Sequence, residues 1–129
     1  MWNDFINFIL NEFQDKHVNI AEIGIGQFDK IANELSKKEN INLIKTDIKP
    51  KDESIIKDDI TNPNLDIYKD IDLIYSIRPP NELQPYIINL ACKINCQLII
   101  KPLTNENLNN GMIKMKLKNY KKASFYVLK

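Results

Sequence analysis

Two glycines, a few carboxylates and one arginine are the residues of this chain whose types and spacing could do chemistry together. The chain has only three glycines, and two of them lie in Glu22-Ile23-Gly24-Ile25-Gly26. Glycine takes up positive φ without steric cost and lets a ligand approach the backbone, so a pair at one turn marks a sharp bend or a close approach. Asp47 follows about twenty residues later, the separation at which a carboxylate closing the next strand accepts from both hydroxyls of a ribose. Asp59 closes a third strand, where a carboxylate could accept from an adenine amino group. Each has a simpler alternative: close packing for the glycines, turn or cap formation for the acids, with Asp58 and Thr61 as further turn formers.

Arg78 is the only arginine among 18 basic residues. A planar guanidinium grips a carboxylate or phosphate through two parallel hydrogen bonds, which an ammonium cannot do. Arg78 is therefore a candidate contact for an anionic substrate or for the carboxylate of a cofactor. A surface ion pair with a nearby acid is the alternative. Pro79 and Pro80 stiffen the loop behind it and start the next helix.

These residues need strands and helices to bring them together. Apolar residues 18–23 read as a buried parallel strand, and Phe28, Ile31, Ala32 and Leu35 form one stripe of a helix running to about Lys38. An amphipathic helix over 2–15 precedes them. Residues 41–46 form the second strand, 54–57 a short third strand, 72–76 a fourth and 97–101 a fifth. A turn of helix opens at 62–64, and a full helix spans 81–95 with Pro85 near its first turn. Residues 104–111 read as a polar loop. The tail alternates over 112–118 and 123–128, two strands joined through residues 119–122.

Strands alternating with helices predict an α/β domain over 1–129 with a Rossmann-like, mostly parallel sheet and an antiparallel terminal pair. The connections after the second, third and fifth strands are too short for ordinary crossover helices, so the fold is minimal. The first and fourth strands are expected as neighbours at the switch point. The glycine turn then faces residues 76–80 across a crevice at the carboxyl ends of the strands.

Composition narrows the class. Apolar residues are 43% and charged residues 27% of the chain, ordinary for a globular domain. A formal net charge of +1 offers no global attraction to nucleic acid. The start lacks a signal-peptide pattern and no apolar run reaches membrane-spanning length, so a cytoplasmic protein is expected. Cys92 and Cys96, four apart, read as small buried thiols on one helix face, and with His17 alone they cannot complete a zinc site. His17 reads as a turn or surface residue.

The ligand choice lies between a dinucleotide and S-adenosylmethionine. Asp29 stands where the third glycine of a dinucleotide fingerprint would fall, and like charges near 4 Å cost about 4 kcal/mol at an effective dielectric near 20. With Glu22, Asp47, Asp58 and Asp59 it is expected to form an acidic rim, which suits a ligand bearing a sulfonium and an ammonium. At these residues the chain resembles the Rossmann-like S-adenosylmethionine-dependent methyltransferases. Residues 21–32, 58–63, 74–83 and 118–127 look more closely like a small uncharacterised archaeal family of methyltransferase-related domains.

That resemblance implies that Glu22, Gly24 and Gly26 hold the methionine moiety, Asp47 the ribose and Asp59 the adenine. It places Ser76 and Arg78 on the substrate side, in a loop that lacks the Asn/Asp-Pro-Pro-aromatic motif used on amino groups. The expected function is binding of S-adenosylmethionine or S-adenosylhomocysteine, with methyl transfer to an unidentified substrate and no metal required. A non-catalytic nucleotide-sensing or partner-binding domain is the alternative, and an NAD(P)-dependent oxidoreductase is a third. A homodimer would complete the pocket of so short a domain.

Overall fold

The computed structural model describes residues 2–102 and 115–128. The elements run in the order α1 (Trp2–Glu12), β1 (Val18–Ile23), α2 (Lys30–Ser36), β2 (Ile41–Asp47), β3 (Ile56–Lys57), β4 (Leu73–Ile77), α3 (Gln84–Ile94), β5 (Gln97–Lys101), β6 (Lys116–Tyr120) and β7 (Ala123–Leu128). Short 3₁₀ turns occupy Leu65–Tyr68 and Asn81–Leu83. The described strands form one sheet in the order β3-β2-β1-β4-β5-β7-β6. The first five are mutually parallel, and β7 and β6 add antiparallel strands beyond β5. The expected Rossmann-like α/β architecture is observed, including the β1–β4 neighbours and the antiparallel pair.

Alternation along the strands sorts side chains onto two faces. Val18, Ile20, Leu73, Tyr75 and Ile99 meet α1 and α2 on one face. Ala21, Ile23, Ile74, Leu98 and Ile100 meet α3 on the other through Ile87, Leu90 and Ala91. Aromatic residues dominate the α1 face. Phe5 is fully buried, its ring centroid 5.2 Å from Phe125 and 6.1 Å from Tyr75, both edge-on. Truncating a buried phenylalanine to alanine costs about 3–5 kcal/mol. Among the described residues, no helix is long and apolar enough to cross a membrane.

Several boundaries differ from the sequence pattern. The first helix stops at Glu12 rather than residue 15, because the chain turns through Asp15 at φ +61°. The third strand keeps only Ile56 and Lys57. Ser54 is drawn into a turn in which its N–H and hydroxyl both donate to Asp52 Oδ1. The helix expected over 81–95 begins as a 3₁₀ turn, and Pro85 falls in the first turn of α3, where a missing N–H costs nothing. The helix turn expected at 62–64 forms just downstream, with the Asn64 side chain capping it through Asp66 N–H.

The terminal hairpin is offset from the expected strands. β6 runs to Tyr120 and only Lys121 and Lys122 form the turn, while residues 112–114 lie outside the described residues. So does the expected polar loop at 104–111. The cysteines do not share a buried helix face. Cys92 is exposed, whereas Cys96 lies past the left-handed cap at Asn95, half-buried, its thiol pushed up to about 11 mainly by burial. His17 is exposed.

Candidate functional site

Where β1 ends, Gly24 adopts φ +71° and Gly26 φ +56°. Left-handed backbone costs a residue with a side chain about 1–2 kcal/mol, so glycine is the natural occupant. A Cβ at either position would meet no atom within 4 Å. The glycines therefore serve conformation and leave open space outside the turn, and close packing does not explain them.

The turn is fastened to β2. Gly24 N–H and Ile25 N–H donate to the Thr46 carbonyl at 2.9 and 3.3 Å. Gly26 N–H donates to Asp47 Oδ2 at 2.8 Å, and Lys49 N–H to Asp47 Oδ1 at 2.9 Å. Each carboxylate oxygen has two lone-pair sites, so both oxygens of Asp47 retain room for one more donor.

Beside the turn lies a cleft of about 430 Å³ at the carboxyl ends of β1, β2 and β4. That volume falls in the usual range for small-ligand sites, roughly 300–1,000 Å³. Ile48, Ile60, Leu83 and Ile87 supply apolar wall, and Gly24, Asp47, Asp58 and Asp59 line the acidic side. Ser76, Arg78, Pro79 and Pro80 line the side opposite the glycine turn, as the expected topology requires.

The acids in the cleft also build its walls. Asp59 Oδ1 accepts from Thr61 N–H at 3.0 Å and from the Thr61 hydroxyl at 2.7 Å. Among the described residues nothing donates to its other oxygen. Asp58 accepts from Asn64 N–H at 3.0 Å and from the Tyr68 hydroxyl at 2.9 Å, one on each oxygen, and so ties the loop after β3 to Tyr68. The buried Tyr68 hydroxyl also lies 3.1 Å from Thr46 Oγ1. Burial, with Asp58 alongside, raises the Tyr68 phenol well above its ordinary range.

The expected acidic rim is divided. Glu22 does not line the cleft: strand alternation turns it to the α1 face, where it is 1% exposed. The Tyr75 hydroxyl donates to Glu22 Oε1 at 2.6 Å. Burial still raises the Glu22 carboxyl to about 7, against the opposing influence of Tyr75 and Lys45. Asp29 stands at the start of α2, outside the cleft, and pairs with Lys51 at 2.9 Å, which lowers its pKa. Gly26 likewise belongs to the turn rather than the cleft wall. Only Asp47, Asp58 and Asp59 remain as a shared acidic edge.

Ser76 is 1% exposed, and its hydroxyl donates to the Ile23 carbonyl at 2.8 Å, tying β4 to β1 where they diverge. Arg78 is exposed and has φ +54°. Its guanidinium carbon lies 5.1 Å from the Trp2 ring and 6.0 Å from the Phe28 ring. No ion pair with a carboxylate forms among the described residues, where the pairs are Lys37–Glu34 and Lys51–Asp29.

A family model described as an uncharacterised protein family, UPF0146, matches residues 2–129. The chain belongs to this family. A UPF0146 protein of Methanothermobacter thermautotrophicus is 40% identical over 126 residues, covering 98% of this chain and 93% of that protein. One from Methanocaldococcus jannaschii is 50% identical over 116 residues, 84% of this chain and 81% of that protein. Among solved structures, the antibiotic-resistance methyltransferase Kmr superposes with a TM-score of 0.59 at 6% identity, covering 95% of this chain and 91% of Kmr. A mutant form of MtNAS gives a TM-score of 0.60 at 8% identity, over 97% of this chain and 59% of that one. At such identities the likeness shows a shared fold.

The UPF0146 cleft and the Arg78 side chain beside it also rely on residues that sequence spacing did not single out. Thr46 and Tyr68 sit behind Asp58, and Trp2 and Phe28 sit beneath Arg78. Tyr68 follows a capping asparagine in a polar stretch, a signal for a turn but not for a cleft wall. Trp2 and Phe28 are apolar members of helical patterns, and only the packing of α1 beside the glycine turn brings their rings within 4.9 Å. Among the described residues, no group of three His, Cys, Asp or Glu side chains is placed to hold a metal ion.

Proposed function

We propose that this UPF0146 member binds S-adenosylmethionine, or its demethylated product S-adenosylhomocysteine, in the cleft on the α3 side of the sheet. One observation carries the reading: a single cleft of suitable size joins the open glycine turn, unspent acceptor positions on Asp47 and Asp59, and an apolar wall. Asp47 takes the ribose hydroxyls, Asp59 the adenine amino group, and the turn at Gly24 and Gly26 the methionine end. Glu22 ties β1 to β4 through Tyr75 on the opposite face of the sheet, and Ser76 and Arg78 border the substrate side. The fold shared with Kmr is consistent with this assignment.

When bound, S-adenosylmethionine supplies an electrophilic methyl group on a sulfonium. The chain's own contribution is to align the partners and hold them close, which alone can account for a large share of a displacement barrier. Binding without transfer is the second reading. Ser76 favours it, because its proton is committed to the Ile23 carbonyl and is not available to a substrate.

A thermal-shift and calorimetric panel tests the assignment. A ligand at a hundred times its dissociation constant stabilises by about 2.7 kcal/mol. S-adenosylmethionine and S-adenosylhomocysteine are expected to raise the melting temperature and NAD to leave it unchanged. The panel includes NAD because the Lys51–Asp29 pair offsets the charge that would oppose a pyrophosphate. A shift with NAD and none with the sulfonium ligand or its product overturns the proposal.

A further inference from the structure

Arg78 is arranged in a way that folding alone does not account for. Its backbone is left-handed, at φ +54°, which disfavours a residue with a side chain. A cation over an aromatic face at an exposed site is a weak compensation. Beside it, β5 ends at Lys101, paired in register with Ile77, and Arg78 N–H donates to the Lys101 carbonyl at 2.6 Å. Lys101 is half-buried, and its ammonium pKa is lowered first by burial and then by the Arg78 charge. Two cationic residues thus end neighbouring strands, with no carboxylate partner on either among the described residues. A bound anion would offset the repulsion between their charges.

The residues around the pair narrow the anion. Lys101 lies on the α1 face of the sheet, the same face as its strand neighbour Ile99. The rings of Trp2 and Phe28 flank the guanidinium without using its N–H donors. A planar fork whose donors meet no acceptor among the described residues, beside a point-charge ammonium, matches a carboxylate or a phosphate better than a halide. Arg78 also lines the α3-side cleft, so an anion held here borders the proposed nucleoside site.

We propose that Arg78 and Lys101 form an oxyanion subsite that holds the carboxylate or phosphate group of a small-molecule methyl acceptor. This rests on the S-adenosylmethionine reading, since the acceptor is defined by the donor beside it. The same chemistry could come from the donor's own carboxylate, and the test separates the two sources.

Trp2 is the only tryptophan of the chain, so its fluorescence reports on the guanidinium above it. The protein is titrated with inorganic phosphate and with succinate, against sodium chloride at matched ionic strength, with and without saturating S-adenosylhomocysteine. The expected result is a saturable change in Trp2 emission with phosphate or succinate beyond the chloride response. Its affinity should fall at least tenfold in both Arg78→Lys, which keeps the charge and loses the fork, and Lys101→Met. S-adenosylhomocysteine should bind Lys101→Met, which lies outside the cleft lining, within threefold of wild type by calorimetry, and thermal denaturation of both variants shows that they are folded.

No response beyond chloride, or a response that survives in both variants, overturns the subsite. Competition between phosphate and S-adenosylhomocysteine, with a tenfold loss of the latter in Arg78→Lys, also overturns it and assigns the pair to the donor's carboxylate. An intact anion response in a protein that never binds S-adenosylhomocysteine upholds the oxyanion subsite. It removes the methyl acceptor, because the nucleoside reading has then failed separately.

Discussion

The two ends of the sheet's carboxyl edge carry opposite charge and are built by different rules. Asp47 ends β2 and Asp58 and Asp59 follow β3, whereas Arg78 and Lys101 lie at the ends of β4 and β5, with the glycine turn of β1 between them. Every acid at the first end accepts at least one backbone N–H: Gly26 and Lys49 on Asp47, Asn64 on Asp58, Thr61 on Asp59. Neither basic side chain at the second end carries a comparable structural bond among the described residues. The acids therefore shape the backbone as well as offering themselves to a ligand, and the bases hold nothing in place. Loss of function from an acid at this edge is ambiguous; loss from a base is not.

The largest effect is expected where the two acid roles coincide. Asp47→Ala should weaken S-adenosylhomocysteine binding by a hundredfold or more, since hydrogen bonds to a charged group are worth about 1.5–3 kcal/mol each. Asp47→Asn keeps an acceptor for Gly26 N–H but turns its amide nitrogen towards Lys49 N–H, so it should lose less stability than Asp47→Ala while still losing most affinity. Calorimetry beside thermal denaturation checks this; affinity unchanged in Asp47→Asn would mean that the acidic end only builds the turn.

Glu22 belongs to neither end, and its prediction is about pH. The folded carboxyl keeps its proton to about pH 7, while the unfolded one loses it near 4.5. The folded state thus binds more protons across that window, and stability falls as pH rises through it. At about 1.4 kcal/mol per unit, the loss reaches about 3 kcal/mol above pH 7. Glu22→Gln, which can still accept from Tyr75, should match wild type at pH 4.5 and exceed it by about that amount at pH 8 in urea unfolding. Parallel stability curves for the two proteins would show that Glu22 is not the group responsible.

Gly24→Ala comes next, with an expected loss of about 1–2 kcal/mol from its positive φ and no steric clash to add to it. A far larger loss would reveal a contact that the open space beside the turn excludes. The smallest effect sharpens the basic end. Arg78→Gly relieves the backbone and gives up the aromatic contact, so stability should stay within about 1 kcal/mol of wild type while the oxyanion response disappears. A drop beyond about 2 kcal/mol on the same scale would make Arg78 a structural residue.

The sheet is legible in the sequence because its signals are local: alternating apolar runs, turn residues, and connections too short for further helices. Asp47 and Asp59 are legible as cleft acids because both stand immediately past or at a strand end. Glu22 leaves the expected rim because one residue along a strand exchanges one face for the other, and burial with Tyr75 is a tertiary fact. Asp29 is not the free charge its position suggests, because Lys51, its partner, lies 22 positions away in the chain. The ion pair offered as the alternative for Arg78 does not form among the described residues, for a related reason. The partners it found are aromatic, and one of them belongs to a helix that precedes the glycine turn altogether.

That first helix is joined to the end of the chain as well. Phe8 packs on Tyr120 and Phe125, Asn11 Nδ2 donates to the Tyr120 hydroxyl at 2.7 Å, and Asp4 Oδ2 accepts from Lys122 N–H at 3.0 Å. During synthesis α1 emerges ahead of every strand, yet its aromatic face is closed only when the terminal hairpin arrives. Until then Phe5 and Phe8 have nothing to cover them on that side. Trp2 rides on the same helix, so the floor under Arg78 is held in place by residues at the far edge of the sheet that never touch the site.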